Sequence, residues 1–565
     1  MNRLTGAEAF VRMLELHGVR HIFGLCGDTS LPLYDALYRL DHGITHVLTR
    51  DERSAAYMAD AYARVTGRVG VCEGPSGGGA TYILPGVVEA NESSIPVLAV
   101  TTDISVAGRG RFTLTEIDQE ALFRPLTKWN RMVHTAAQVP ETVRAAFAQM
   151  TTGRAGAAHI GLPFDVQNDP VDEATVWADA TLGVYPSRPL APDGQAVAAA
   201  AEAILGAKEP MFICGGGPVI AGAEAELGAL AELLAAPVAT SISGRGCIAD
   251  DHPLALGVVG SNGGTPETRA VVAAADLVVF VGCRAGSVTT ERWRYPAAGG
   301  AVRIVHIDAD PAVIGANYAT EAALMGDARL CLAALRAEIA RRLDGPPARA
   351  QGAAAVARAK AGKFKAFRAL AASDQAPIKP ERIVAALRQA LPRDAVVVAD
   401  AGTPCPYFGA YFRLFETGRQ FISNRAHGAL GYALPAAIGA HFGRPGVKCV
   451  CVCGDGSFGF ALGELETMVR LDLPVTVVVI SNAGFGWIKA GQKSGFDGRY
   501  FSVDFGRTDH ARVAEAFGVR AWRVTDPAEL APALRQAVAV DGPSLVDVIT
   551  QPLQEARAPV SEWVA

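Results

Sequence analysis

The most constraining stretch of this chain is GVKCVCVCGDGSFGFALGELETMVRLDLPVTVVVISNAGFG, from Gly446 to Gly486. A short β-branched, apolar run stops abruptly at Gly454, and an acid held between two glycines opens a helical stretch. A second apolar run then ends on Asn-Ala-Gly. Short apolar runs bounded by turn residues and separated by a helix read as strand, turn, helix, strand: a βαβ unit with parallel strands. Asp455 and Asn482 then each fall just past a strand, at one edge of one sheet. In open α/β sheets, that carboxyl edge is where ligands bind.

The same alternation runs through the whole sequence. At 565 residues the chain is too long for one core, and roughly three domains of ~150–200 residues is the natural division. The expected fold class is α/β, with three doubly wound parallel-sheet domains. The first domain covers 1–180 and ends before a Pro-rich linker, VYPSRPLAPDG (Val184 to Gly194). The second covers 195–340, with strands in PMFICGGG, APVAT, LVVFVGC and VRIVHID. A charged, Ala-rich helical linker, 341–375, leads to the third domain, 376–565.

Composition excludes several classes of function. A formal charge of −5 and the lack of any basic block leave no footprint for nucleic acid. The N-terminus has no signal-peptide core, and no window reaches the ~18–20 apolar residues of a membrane span. Ten cysteines are scattered, several on alternate positions of one strand (Cys449, Cys451, Cys453), with no CxxC or Cys/His spacing. They read as reduced, packed thiols in a cytoplasmic protein.

At the sheet edge, the Asp455 carboxylate, the Asn482 amide oxygen and the Gly484 carbonyl suit a hard divalent cation. Magnesium favours such donors and completes its shell with phosphate oxygens and water. Gly454, Gly456 and Ser457 lie at the start of the helix, where free N–H groups favour a phosphate. Taken alone, Gly-Asp-Gly reads as a helix-capping turn. The Asn-x-Gly at the end of the next strand turns the reading toward a metal-bridged diphosphate.

With these residues in view, the chain resembles the thiamine diphosphate enzymes of the acetolactate synthase, pyruvate decarboxylase and benzoylformate decarboxylase group. SAAYMADAYARVTG, SGGGATY, FRPLTKWN, PVATSISGRG, VHIDADP and GALGYALPAAIGA extend that resemblance over nearly its full length. The resemblance implies a pyrimidine-binding first domain, a Rossmann-like middle domain and a diphosphate-binding third domain. It assigns the metal to Asp455, Asn482 and Gly484, although the first Asn of the family's Asn-Asn pair is Ser481 here. It makes Glu52 the carboxyl that bonds the cofactor's aminopyrimidine and promotes loss of the thiazolium proton. Without the third domain's motif, Glu52 reads as an ordinary helix-start carboxylate paired with Arg50 or Arg53. Gly428 aligns with the glycine whose carbonyl receives the 4′-amino group, Leu430 with the bulky residue under the bent cofactor, and Gly402 and Thr403 with a second diphosphate loop.

Substrate residues are less defined. Asp28 lies in a loop that lines the pocket in relatives, and His427 sits beside the cofactor loop. The Phe-Gln-Glu of acetolactate synthases becomes Leu114, Thr115 and Glu116, and their acceptor-pocket Trp aligns with Gly491. Arg284 and Asp308 match positions near FAD, so a flavin in the middle domain is an option. The C-terminal QEARAPVSEWVA reads either as a lid or as a frayed end. The resemblance further implies Glu52 and Asp455 from different subunits, hence a homodimer as minimal unit and a homotetramer as the assembly. The expected activity on small carbonyl substrates is magnesium-dependent decarboxylation of a 2-oxo acid with transfer of the acyl carbanion to a carbonyl acceptor. The alternatives are C–C cleavage of a diketone or acyl-CoA, simple decarboxylation, and a cofactor-binding regulatory protein without turnover.

Overall fold

A computed structural model describes residues 3–343 and 351–563. It divides into two compact units: Met1–Arg188 with Asn424–Gly446 and Phe460–Leu473, and Pro189–Ser423 with Val447–Gly459 and Pro474–Ala565. Part of the helical linker expected over 341–375, residues 344–350, lies outside the described residues, as do 1–2 and 564–565.

The first unit is built on a six-stranded, all-parallel sheet. Its strand order is Thr45–Leu48, His21–Gly24, Gly70–Gly74, Val97–Asp103, Ala158–Pro163, Trp129–Met132. The central strands are buried on both faces, as a sheet covered by helices on either side requires. The helix Glu52–Thr66 starts where the Asp51 side chain accepts the Arg53 N–H, and it stops at Gly67, whose φ of 70° ends the turn. It crosses helix Ala433–Gly443 at backbone contact: a Cβ at Gly439 would lie 2.1 Å from the Met58 carbonyl oxygen. That crossing ties the Gly428 segment into the same unit as Glu52.

The second unit holds two further six-stranded parallel sheets. One runs Ala255–Val258, Val238–Thr240, Pro210–Cys214, Leu277–Val281, Arg303–Asp308, Ala322–Met325. The other runs Phe421–Ile422, Val396–Ala399, Cys449–Gly454, Thr476–Ser481, Ser544–Ile549, Arg520–Val524. Cys449–Gly454 and Thr476–Ser481 are parallel neighbours, with Gly454 opposite Ile480. The expected βαβ unit is therefore present, and its strands end together. Short edge strands such as Trp129–Met132 were not legible in the sequence, because they are half-buried and polar. All ten cysteines are free thiols.

The last described segment of the chain is held at Ser561 and Glu562. Ser561 N–H donates to the Ser261 carbonyl at 3.0 Å, Ser561 Oγ donates to Glu291 at 3.0 Å, and Glu562 pairs with Arg294. Among the described residues, no helix is long and apolar enough to cross a membrane.

Candidate active site

Asp455 opens helix Asp455–Ala461 directly after its strand. Its Oδ1 accepts the Gly456 N–H at 2.9 Å, and its Oδ2 accepts those of Asn482 at 2.8 Å and Ala483 at 2.6 Å. The carboxylate thus binds its own helix start to the end of the next strand. Burial raises its pKa, opposed by the three N–H donors and by His510. Ala483 sits at φ 57°, a left-handed conformation that turns both amides toward one oxygen. Beside it, Ser457 Oγ donates to Asp400 Oδ2 at 2.5 Å, which fixes the first turn of the helix.

Gly486 shows how tightly this corner is drawn. A Cβ there would lie 3.3 Å from Asn482 Nδ2, 3.4 Å from Thr403 Oγ1 and 3.1 Å from Leu553 Cβ. The structure thereby brings Asn482 and Thr403 together, and Gly402 precedes them at φ 92°. The Gly484 carbonyl accepts the Gly486 N–H at 2.9 Å and keeps a second lone pair.

In the first unit, Glu52 is 8% exposed at the start of its helix. The glycine-rich turn wraps it: a Cβ at Gly74 would lie 3.3 Å from Glu52 Cγ, and one at Gly79 would lie 3.2 Å from its Oε1. Arg53 pairs with Asp51 at 2.6 Å instead of with Glu52. Burial, chiefly, raises the Glu52 pKa, and the neighbouring Asp51 charge adds to it. A carboxyl that resists ionisation can share or hand over a proton.

Three family models match along the chain. They are the thiamine pyrophosphate enzyme N-terminal TPP binding domain over residues 4–122, the central domain over 197–335 and the C-terminal TPP binding domain over 400–548. The chain belongs to the thiamine pyrophosphate enzymes. A probable acetolactate synthase large subunit of Methanocaldococcus jannaschii is 35% identical over 98% of this chain and 93% of its own length. A probable 2-ketoarginine decarboxylase of Pseudomonas aeruginosa is 36% identical over 96% and 94%. An acetolactate synthase of Arthrospira platensis is 32% identical over 97% and 94%. This thiamine pyrophosphate enzyme is thus acetolactate synthase-like, of a decarboxylase and carboligase family.

The residues present fit the cofactor and a metal. Asp455 is a buried anion with lone pairs to spare. Among the described residues the Asn482 side-chain amide has no hydrogen-bond partner, and the Gly484 carbonyl is half-used. Carboxylate, amide and carbonyl oxygens make a magnesium donor set. Glu52 lies largely buried in a niche walled by Gly74 and Gly79.

Other expected residues of this thiamine pyrophosphate enzyme are less enclosed. Asp28 opens the turn Asp28–Ser30, is exposed, and accepts the Thr29 N–H at 2.9 Å. His427 and Gly428 are exposed, Gly428 at φ 76°, and Leu430 is half-buried. Ser481, where relatives have Asn, is used internally. Its Oγ donates to the buried Asp547 at 2.5 Å and lies 3.2 Å from His510 Nδ1.

Sequence reading missed Glu89 and Glu73. Glu89, on helix Leu84–Glu92, holds the backbone of the 426–428 loop and pairs with Arg64 at 3.2 Å. Glu73 lies in a stretch that the sequence presents as an ordinary strand. Its signal was an acid inside an apolar run, VGVCEG.

Proposed function

We propose that this enzyme uses thiamine diphosphate and magnesium to decarboxylate a 2-oxo acid and passes the resulting acyl unit to a carbonyl acceptor. The observation that carries the reading is the corner at Asp455, whose buried carboxylate accepts the backbone N–H groups of Asn482 and Ala483 and so ties the strand end that carries Asn482 and Gly484 to its own helix start. Asp455, Asn482 and Gly484 would hold the metal. Gly402, Thr403, Gly454, Gly456 and Ser457 would hold the diphosphate, and Gly428 and Leu430 the aminopyrimidine and its bend. Bound thiamine diphosphate supplies the electron sink for CO2 loss. Glu52 holds a proton at the pyrimidine ring, and the glycine walls at Gly74 and Gly79 keep water from that carboxyl. Asp28 and His427 face the substrate side.

The three domains are taken as 1–180, 195–340 and 376–565, with the linker at 341–375. The working unit is a dimer in which Glu52 and Asp455 come from different subunits, assembled into a cytoplasmic homotetramer. Phe112 at 99% exposed, Leu114 at 83% and Phe501 at 82% support assembly, since such side chains are costly in water. A flavin (FAD) in the middle domain, near Arg284 and Asp308, is the lesser part of the reading. Asp308 turns its Oδ1 to the Asp310 N–H at 2.9 Å, within its own turn.

Simple decarboxylation is the second reading. Its support is the similarity to a 2-ketoarginine decarboxylase, together with Gly491 where acetolactate synthases place an acceptor-pocket Trp. The test is CO2 release from pyruvate and from 5-guanidino-2-oxopentanoate, with and without cofactor and metal, by wild type and Glu52→Gln, with products identified by mass spectrometry. A hydroxyketone or acetohydroxyacid product supports carboligation, and an aldehyde supports the second reading. Turnover unchanged in Glu52→Gln would refute the assignment of that residue.

A further inference from the structure

A buried carboxyl outside the expected site stands at the head of a continuous file of hydrogen-bonded side chains. Glu73, on strand Gly70–Gly74, is 1% exposed. Its Oε1 accepts from Ser30 Oγ at 2.5 Å and its Oε2 from Tyr34 Oη at 2.7 Å. Ser30 Oγ lies 2.9 Å from Thr102 Oγ1, which lies 2.9 Å from Thr29 Oγ1. Thr29 donates to Ser76 Oγ at 3.3 Å, and Ser76 Oγ lies 2.7 Å from Thr115 Oγ1. Behind Glu73, Tyr34 Oη lies 2.9 Å from His46 Nε2.

Two features separate this file from ordinary core polarity. A hydroxyl both donates and accepts, and in three of these links either oxygen can be the donor. Such a file moves a proton along its length by turning each O–H to the next oxygen. Its far end is also held against local preference. Thr115 sits at φ 69°, and a Cβ at Gly77 would lie 2.8 Å from Thr115 Cβ. Such strain persists only where the surrounding structure enforces it. From Thr115 the chain runs directly into the exposed Phe112 and Leu114.

We propose that Glu73 is a proton reservoir and that the hydroxyl file delivers its proton through Thr115 to the substrate side. The inference rests on the proposed function and on the resemblance that aligns Leu114, Thr115 and Glu116 with the Phe-Gln-Glu substrate loop of acetolactate synthases. A 2-oxo acid that loses CO2 and leaves as an aldehyde must gain one proton on carbon. In the protonated acid the hydrogen lies on Glu73 Oε1 and the Ser30 hydroxyl turns to Thr102. The Glu73 O–H bond then breaks toward Ser30 as each hydroxyl passes its hydrogen to the next. The Thr115 hydrogen, which rests on the Leu114 carbonyl at 2.5 Å, turns outward to form the new C–H bond. Glu73 is left as carboxylate and regains its proton from water by way of Tyr34 and the half-buried His46. When a carbonyl acceptor takes the acyl unit instead, no C–H bond forms and the one proton goes to the acceptor oxygen.

The electrostatics agree with this assignment. Burial pushes the Glu73 carboxyl up to about 7, opposed by the Ser30 and Tyr34 hydroxyls and reinforced by Glu52. Both protonation states are therefore present near neutrality. The ionisable groups around it are Glu52, Tyr34, Cys26 and Cys72, with His46 behind Tyr34, held neutral by burial at about 4.

The test has an arm that needs no turnover. Infrared difference spectra of the cofactor-free protein across neutral pH are expected to show a carboxylic acid band that disappears as pH rises. The band should be absent in Glu73→Gln and shifted in Thr102→Val, which cuts the file between Ser30 and Thr29. If Thr102→Val does not fold, Thr29→Val cuts the next link. In the loaded enzyme, with 5-guanidino-2-oxopentanoate or pyruvate as donor, both variants should form aldehyde about tenfold more slowly or worse. They should also lose the pH dependence of the wild type near neutrality. The absence of the band, a band unmoved by cutting the file, or variants with the wild-type pH profile would each overturn the proposal. A wild type that forms no product from either donor, with the band and its shift intact, would overturn the substrate reading and leave the proton file standing.

Discussion

The Glu89 carboxylate grips the loop that precedes Gly428. Its Oε2 accepts the His427 N–H at 2.7 Å and lies 3.3 Å from the Ala426 nitrogen and 3.4 Å from that of Gly428. Three successive amides turned to one anion form a nest, and the φ of 76° at Gly428 shapes it. Arg64 and the Ser93 hydroxyl, 3.2 and 2.9 Å from Glu89 Oε1, hold the carboxylate from behind.

Glu89→Gln should therefore loosen the loop without touching the cofactor. Charge-assisted hydrogen bonds are worth about 1.5–3 kcal/mol, so thiamine diphosphate affinity should fall about tenfold or more. Amide hydrogen exchange over 425–429 should accelerate in the cofactor-free protein, with helix Glu52–Thr66 unchanged. Unaltered exchange in the loop would remove Glu89 from this role.

If Glu52 and Asp455 act in trans, two dead variants should rescue each other. Glu52→Gln and Asp455→Ala are each expected to be inactive. Random reassociation of equal amounts restores one intact site in each mixed dimer, about a quarter of wild-type sites. Mixtures that stay inactive while size-exclusion and mass data show mixed dimers would place both residues in one subunit's site.

Ser481→Ala tests whether the departure from the family's Asn is structural. It removes the hydroxyl donor to Asp547, which is fully buried beside His510 and Arg523. Leaving a buried carboxylate oxygen short of a donor costs about 1–3 kcal/mol. Denaturant midpoints should drop accordingly, and magnesium affinity, read by calorimetry, should change less than in Asn482→Ala. Equal losses in both variants would make Ser481 part of the metal site.

Glu73 should leave a signature in stability against pH. Its carboxyl is raised from 4.5 to about 7 in the folded protein, so the native state holds a proton there that the unfolded chain has released. That group's contribution to stability falls as pH rises between those values and stays low above them. Glu73→Gln removes the effect, and relative to wild type it should gain up to about 3 kcal/mol on going from pH 5 to pH 8. Parallel unfolding midpoints at the two pH values would count against a raised Glu73.

Much of this enzyme was legible in the sequence. The alternation of short apolar runs with helices requires parallel sheets, because each crossover helix must bury its apolar stripe on the sheet beside it. The turn residues at Asp455 and Asn482 could be placed at one edge because parallel strands joined by a single helix end together, as Cys449–Gly454 and Thr476–Ser481 do. That information is local, carried within the 33 or so residues typical of a βαβ unit.

What only the tertiary structure decided depends on partners far apart in the chain. Glu89 reads as an unremarkable helical acid until folding brings it to His427, more than three hundred residues on. Glu73 needs Ser30, Tyr34 and Thr102 from other elements before it becomes a buried carboxyl at the end of a file. Ser481 looks like a weakened metal motif until Asp547 and His510 pack against it. Local sequence sets backbone periodicity and turn chemistry. The protonation and orientation of a side chain depend on the dielectric and the donors around it, which exist only once the sheets have packed.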